Sequence, residues 1–175
     1  MSNFLENYAN IIELLRIAGK IEGRKKLQKM VYILKNLGAD FKEDFYFHYY
    51  GPYSDVLTIE LEELKSMNVI KENVKEHDSY FPTYTYEINI DDIGVRGDLE
   101  DYKELIGKLN RENSRFLELI ATIMYFKKER KYEKEDIIKK IKIVKSEKNY
   151  TDEEIKKAFD FLETISDLDK GILST

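Results

Sequence analysis

The chain has 175 residues, enough for one domain with a proper core. It holds no cysteine, which excludes disulfides and thiolate metal sites, and no apolar run of the roughly 18 residues that a membrane helix needs. A net charge of −5 reads against a nucleic-acid partner, and the N-terminus lacks the basic and apolar regions of a secretory leader, so the cytoplasm is the expected location.

Residues 4–18 predict a first helix, with Leu5, Tyr8, Ile11, Ile12 and Leu15 at helical spacing and Gly19 as its stop. A second helix is predicted from Arg24 to Leu37. Leu27, Met30, Val31, Leu34 and Leu37 form its apolar stripe, and Gly38 supplies a C-cap. An aromatic strand follows at residues 45–50. Gly51-Pro52 is then expected to turn the chain into a third helix that ends near Met67. Pro52 sits in that helix's first turn, and Val56, Leu57, Leu61 and Leu64 point inward. Two strands are predicted at Val69–Val74 and Tyr84–Ile90, the second with Tyr84, Tyr86, Ile88 and Ile90 on one face. A polar loop, Lys75 to Thr83, joins them. Helix, helix, strand, helix and hairpin is the order of a winged helix-turn-helix.

Residues 91–98 read as a linker, and the remainder as helices: Leu99–Leu109, Arg115–Lys128, Glu135–Lys145 and one starting at Thr151. Thr151 and Glu154 have the spacing of a capping box. The expected fold is therefore mainly α with a small β component (α+β). A winged-helix-like N-terminal half, residues 1–90, precedes a helical C-terminal region, residues 99–175.

Catalytic signatures are missing. No phosphate-binding loop, dinucleotide fingerprint or nucleophile elbow occurs, so no catalytic residue and no cofactor are expected. His48 and His77 fall in different elements, too far apart in sequence for a recognisable metal motif, and His48 reads as a hydrogen-bonded strand residue. Charge is unevenly spread. Residues 16–35 sum to +6 and residues 126–148 to +5, in an otherwise acidic chain. In the second island Lys127, Lys128, Arg130, Lys131, Lys139 and Lys142 form a candidate basic patch. Ile137, Ile138, Ile141 and Val144 are taken as the buried stripe beside it, and Lys145 as pointing outward. The patch is either a set of exposed pairs with Glu129, Glu133, Glu135 and Asp136, the favoured reading, or a docking surface for an acidic protein or nucleic-acid backbone.

The third helix bears on DNA binding. Residues 53–68 contain Asp55, Glu60, Glu62 and Glu63 but only Lys65, a charge of −3 where a winged helix would meet phosphates. Nucleic acid is therefore not the favoured partner. In the aromatic strand, Phe45, Phe47 and Tyr49 would share one face, and Tyr46, His48 and Tyr50 the other. A core strand is favoured over a base-stacking platform, because Glu43, Asp44 and Asp55 flank it.

Two motifs then carry a resemblance. "GRKKLQKMVYILKNLG" (23–38) followed by "FYFHYYGPYSDVL" (45–57) resembles the YwgA-like proteins of bacteria and archaea. The same pair is similar to the Panacea domain, the SocA-like antitoxin domain, over about residues 20–70. The shared residues are Lys26, Leu27, Gln28, Lys29, Met30, Val31 and Tyr32, then Tyr50, Gly51 and Pro52. The resemblance implies a non-enzymatic module that binds another protein, as an antitoxin or adaptor does; self-association stays open. From the residues themselves, Gln28 and Tyr32 lie one helical turn apart and would meet the corner at Tyr50-Gly51-Pro52. Lys26, Gln28, Lys29, Tyr32, Tyr46, His48, Tyr50, Gly51, Pro52 and Tyr53 are thus either a structural clasp or a partner site.

Overall fold

A computed structural model describes residues 2–76, 81–90 and 92–173. His77 and Asp91 lie outside the described residues. The fold is mainly helical with two small antiparallel sheets, an α+β arrangement.

The first predicted helix is three pieces: α1 (Ser2–Leu5), a 3-10 turn (Glu6–Tyr8) and α2 (Ala9–Ala18). A short strand that the sequence reading missed, β1 (Lys20–Glu22), comes next. Then α3 (Arg24–Asn36) ends as expected at Gly38, whose φ of 101° lets the Ala39 N–H reach back to the Leu34 carbonyl. The aromatic segment is not one strand with a Gly-Pro turn. It is a hairpin of β2 (Tyr46–His48) and β3 (Gly51–Tyr53), with Tyr49-Tyr50 as the bend. Pro52 pairs with Phe47 inside β3, where an edge strand tolerates its missing N–H. Helix α4 (Asp55–Ser66) starts after it, capped by the Ser54 hydroxyl accepting from the Leu57 N–H.

β4 (Ile70–Lys75) and β5 (Thr83–Ile88) pair, and β1 adds to β5's other edge, with Ile21 opposite Tyr86. Tyr84, Tyr86 and Ile88 pack on the core, but the strand stops before Ile90, which is exposed. Residues 92–98 have neither helix nor strand. Val95 is buried there, and Asn10 and Glu13 of α2 accept the Asp98 and Gly97 N–H groups. A 3-10 turn (Glu100–Tyr102) leads into α5 (Lys103–Arg111), followed by α6 (Ser114–Lys128), α7 (Lys134–Val144), a 3-10 turn (Ser146–Lys148) and α8 (Asp152–Leu173). The capping box closes as expected: Thr151 Oγ1 accepts from the Glu154 N–H, and Glu154 accepts from the Thr151 N–H.

Two helices carry the core. Residues 26–34 of α3 and 116–124 of α6 are buried on every side, and the two helices pack together. One apolar cluster therefore runs through both halves of the chain. A helix buried all round is normally apolar all round. These two are not: α3 carries Lys26, Gln28 and Lys29, and α6 carries Glu118 and Thr122. Gln28, Lys29, Glu118 and Thr122 gather around the β2–β3 hairpin. Among the described residues no helix is long and apolar enough to cross a membrane.

Candidate functional site

The motif residues do meet the hairpin, through different partners from those expected. The Gln28 amide grips Ser54 on both backbone groups, accepting from its N–H at 2.9 Å and donating to its carbonyl at 2.8 Å. It also donates to the Thr58 hydroxyl, which bonds to Tyr53 Oη. Gln28 thus clasps the start of α4 rather than the Gly51-Pro52 corner. Lys29, fully buried, takes that corner instead and donates to the Pro52 carbonyl at 2.6 Å. Tyr32 does not share the clasp. Its ring packs edge-on against Phe45 at 5.2 Å, and burial raises the pKa of its hydroxyl. Lys26 donates to the Asn110 carbonyl and ties α3 to α5. Gly51 has φ +77°, and a Cβ there would sit 3.0 Å from Thr122 Oγ1, so the hairpin approaches α6 at backbone distance.

Behind the hairpin lies a cluster of lysines around one acid. Glu118 is buried and pairs with Lys145 at 2.9 Å and with Lys148 at 3.5 Å. Lys145 also donates to the Tyr49 carbonyl at 2.5 Å, and the Tyr49 hydroxyl bonds to Glu147. The bend is therefore held by the segment after α7. Lys145, expected to point outward, is buried, while Val144, expected inward, is exposed. The reversal follows from Glu118, which draws Lys145 under the hairpin. Lys25 stacks its ammonium over the Tyr50 ring, 3.5 Å from the centroid; Lys148 lies 5.5 Å from the same centroid. Burial pushes Lys29 down to about 7, opposed by Glu118 and reinforced by Lys145, Lys25 and Lys148. Burial also lowers Lys145 and Lys25. Glu118, Lys145 and Lys148 were missed from sequence as site residues. The available signal was a lone acid within the apolar run "FLELIATIM".

The outward face of the hairpin keeps its aromatic side chains open. Tyr46 and His48 are exposed, and the His48 ring lies 6.3 Å from Tyr50 and 5.6 Å from Tyr53. Tyr49 belongs to the bend rather than to the inner face with Phe47.

Helix α4 presents a second surface. Val56, expected inward, is exposed, as are Ile59 (58%) and Phe4 (52%). Phe4, Ile59 and Met67 form the apolar part of a hollow of about 490 Å³ rimmed by Glu62 and Glu63. Tyr8 donates to Glu63 at 2.6 Å, which pushes the phenol up to about 12. Lys65 bonds to Glu62 and Glu72, so the helix's one lysine is already engaged. On the helix's flank Glu60 rises to about 8 through burial and the neighbouring Glu43 carboxylate. Lys127, Lys128, Arg130, Lys131, Lys139 and Lys142 are exposed. Of these, Lys142 pairs with Asp152 at 2.5 Å and Lys128 donates to the Asn36 carbonyl.

The chain is 36% identical over 170 residues, covering 94% of its own length and 99% of the relative's, to the uncharacterized protein YwgA of Bacillus subtilis (strain 168). No protein-family model matches the chain.

Proposed function

The chain belongs to the YwgA family, and from that premise we propose that it is a non-enzymatic regulator or adaptor, antitoxin-like, that binds another protein through the exposed face of α4. One observation carries the reading: α4 exposes Val56 and Ile59, and Ile59 joins Phe4 of α1 and Met67 just past the helix in an apolar hollow rimmed by Glu62 and Glu63. Exposed apolar surface of this kind, rimmed by charge, is what a protein partner covers. The order α2–β1–α3–α4–β4–β5, with the β2–β3 hairpin inserted between α3 and α4 and β1 closing on β5, supports a winged-helix reading of the N-terminal half. In that reading α4 holds the place of the recognition helix. Its acids would face phosphates there, so a protein with an apolar anchor and flanking Lys or Arg fits better than a duplex. Kinship with the Panacea domain belongs to the same proposal, resting on Lys26 to Tyr32 and Tyr50 to Pro52.

The test is co-purification of the full chain with the products of its flanking genes, comparing wild type and Ile59→Glu. The expected result is a partner bound by wild type and lost by the variant at an unchanged melting temperature. Retention of every partner by Ile59→Glu would overturn the α4 assignment. Nanomolar, sequence-selective binding to duplex DNA would promote a DNA-binding regulator instead.

A further inference from the structure

We infer that the aromatic face of the β2–β3 hairpin, with Lys25 and Lys148, is a binding site for a nucleoside monophosphate. The inference goes beyond the protein-binding reading and shares no residue with the exposed face of α4.

Charge is the first argument. Four lysines, Lys25, Lys29, Lys145 and Lys148, gather around the Glu118 carboxylate. Glu118 pairs with Lys145 and Lys148. Among the described residues Lys29 has the Pro52 carbonyl as its one hydrogen-bond acceptor, and Lys25 has no carboxylate at ion-pair distance. Cations held together away from water repel one another strongly, and a dianion at their mouth would offset this. Lys25 and Lys148 are half-buried and lie over the same ring, so both can donate outward to one phosphoryl group.

Stacking is the second argument. Beside the two ammonium groups the exposed His48 ring lies 6.3 Å from the Tyr50 ring and 5.6 Å from the Tyr53 ring. Aromatic faces of this kind hold a base by stacking. The positive charge that such a platform needs comes from residues 25 and 148, far from the aromatic run in sequence. A polymer fits less well than a single nucleotide. Exposed Asp44 and Asp55 flank the hairpin in sequence and Glu147 is bonded to Tyr49 at its bend, so further phosphates would meet carboxylates.

Calorimetric titration of the full chain near neutral pH and low salt tests this, with the four nucleoside monophosphates, adenosine and inorganic phosphate as probes. At least one monophosphate should bind about tenfold more tightly than adenosine or phosphate alone. Lys25→Gln and Lys148→Gln should each weaken it by about tenfold. His48→Ala, at an exposed position, should weaken the nucleotide while leaving phosphate unchanged. Absence of binding, or phosphate binding as well as any monophosphate and indifferent to both lysine variants, would overturn the site. A single-stranded oligonucleotide that binds far more tightly than every monophosphate would overturn the choice of ligand.

Discussion

Replacing Lys29 with Met keeps the length of the side chain and removes its ammonium. Burial holds that group at about 7 against 10.5 in an unfolded chain. Between those two values the unfolded chain binds the extra proton, so stability rises with pH. The contribution is fully present above pH 10.5 and is lost as pH falls through about 7. At about 1.4 kcal/mol per pH unit, the shift from 10.5 to about 7 amounts to about 4–5 kcal/mol. Lys29→Met abolishes that dependence. It also takes the donor from the Pro52 carbonyl, which costs about 1–3 kcal/mol at every pH. The burial term is the larger, so it decides the sign near neutrality. The variant should be more stable than wild type there by about 1–4 kcal/mol, and less stable by about 1–3 kcal/mol above pH 10.5, the two curves crossing near pH 9. Urea unfolding followed by circular dichroism at a series of pH values measures the difference. A difference that stays constant with pH would refute the reasoning, because it would mean that Lys29 does not titrate differently in the folded protein.

Gln28→Ala leaves the buried Ser54 N–H without its acceptor and should lower stability by about 1–3 kcal/mol; an unchanged urea midpoint would sink the clasp. Gly51→Ala forces a Cβ into left-handed backbone and to 3.0 Å from Thr122 Oγ1, for a loss of about 1–3 kcal/mol in the same assay. Glu60, raised to about 8, contributes stability that is full below about pH 4.5 and lost as pH rises through 8; Glu60→Gln should flatten that fall, and an unaltered slope would contradict the raised Glu60. Lys139→Glu with Lys142→Glu breaks the exposed Lys142–Asp152 pair and should change stability by less than about 1 kcal/mol with no loss of partners in co-purification. Partner loss at an intact melting temperature would make that patch a docking surface.

Helices were the legible part of this sequence. Gly19, Gly38 and the Thr151–Glu154 box mark real ends because each acts through local backbone geometry. β1 was not legible: three residues, "KIE", give too little alternation, and their strand conformation comes from pairing with β5. The hairpin misled for a related reason. Tyr49-Tyr50 has none of the Asn or Gly of a two-residue bend. Lys145 and Glu147 impose the bend from the other end of the chain. The candidate site was half legible. Gln28, Lys29, His48 and Tyr50 stood out as a motif, whereas apolar periodicity assigns lysines to the surface and so misplaced Lys145. Val56 and Ile59 show the opposite failure: apolar periodicity put Val56 inside, and nothing local marks a helix face as uncovered.

The bend at Tyr49-Tyr50 also dictates an order of events during synthesis. Its anchors, Lys145 and Glu147, lie 96 and 98 positions downstream. A chain emerging from the ribosome at roughly 5–20 residues per second must wait several seconds between making the hairpin and making what fastens it. Over that interval Lys29 also lacks Glu118, so it has every reason to stay in water. The N-terminal half is therefore obliged to remain open until α6 and the turn after α7 have been made. Closure of the hairpin comes as a late, high-contact-order step.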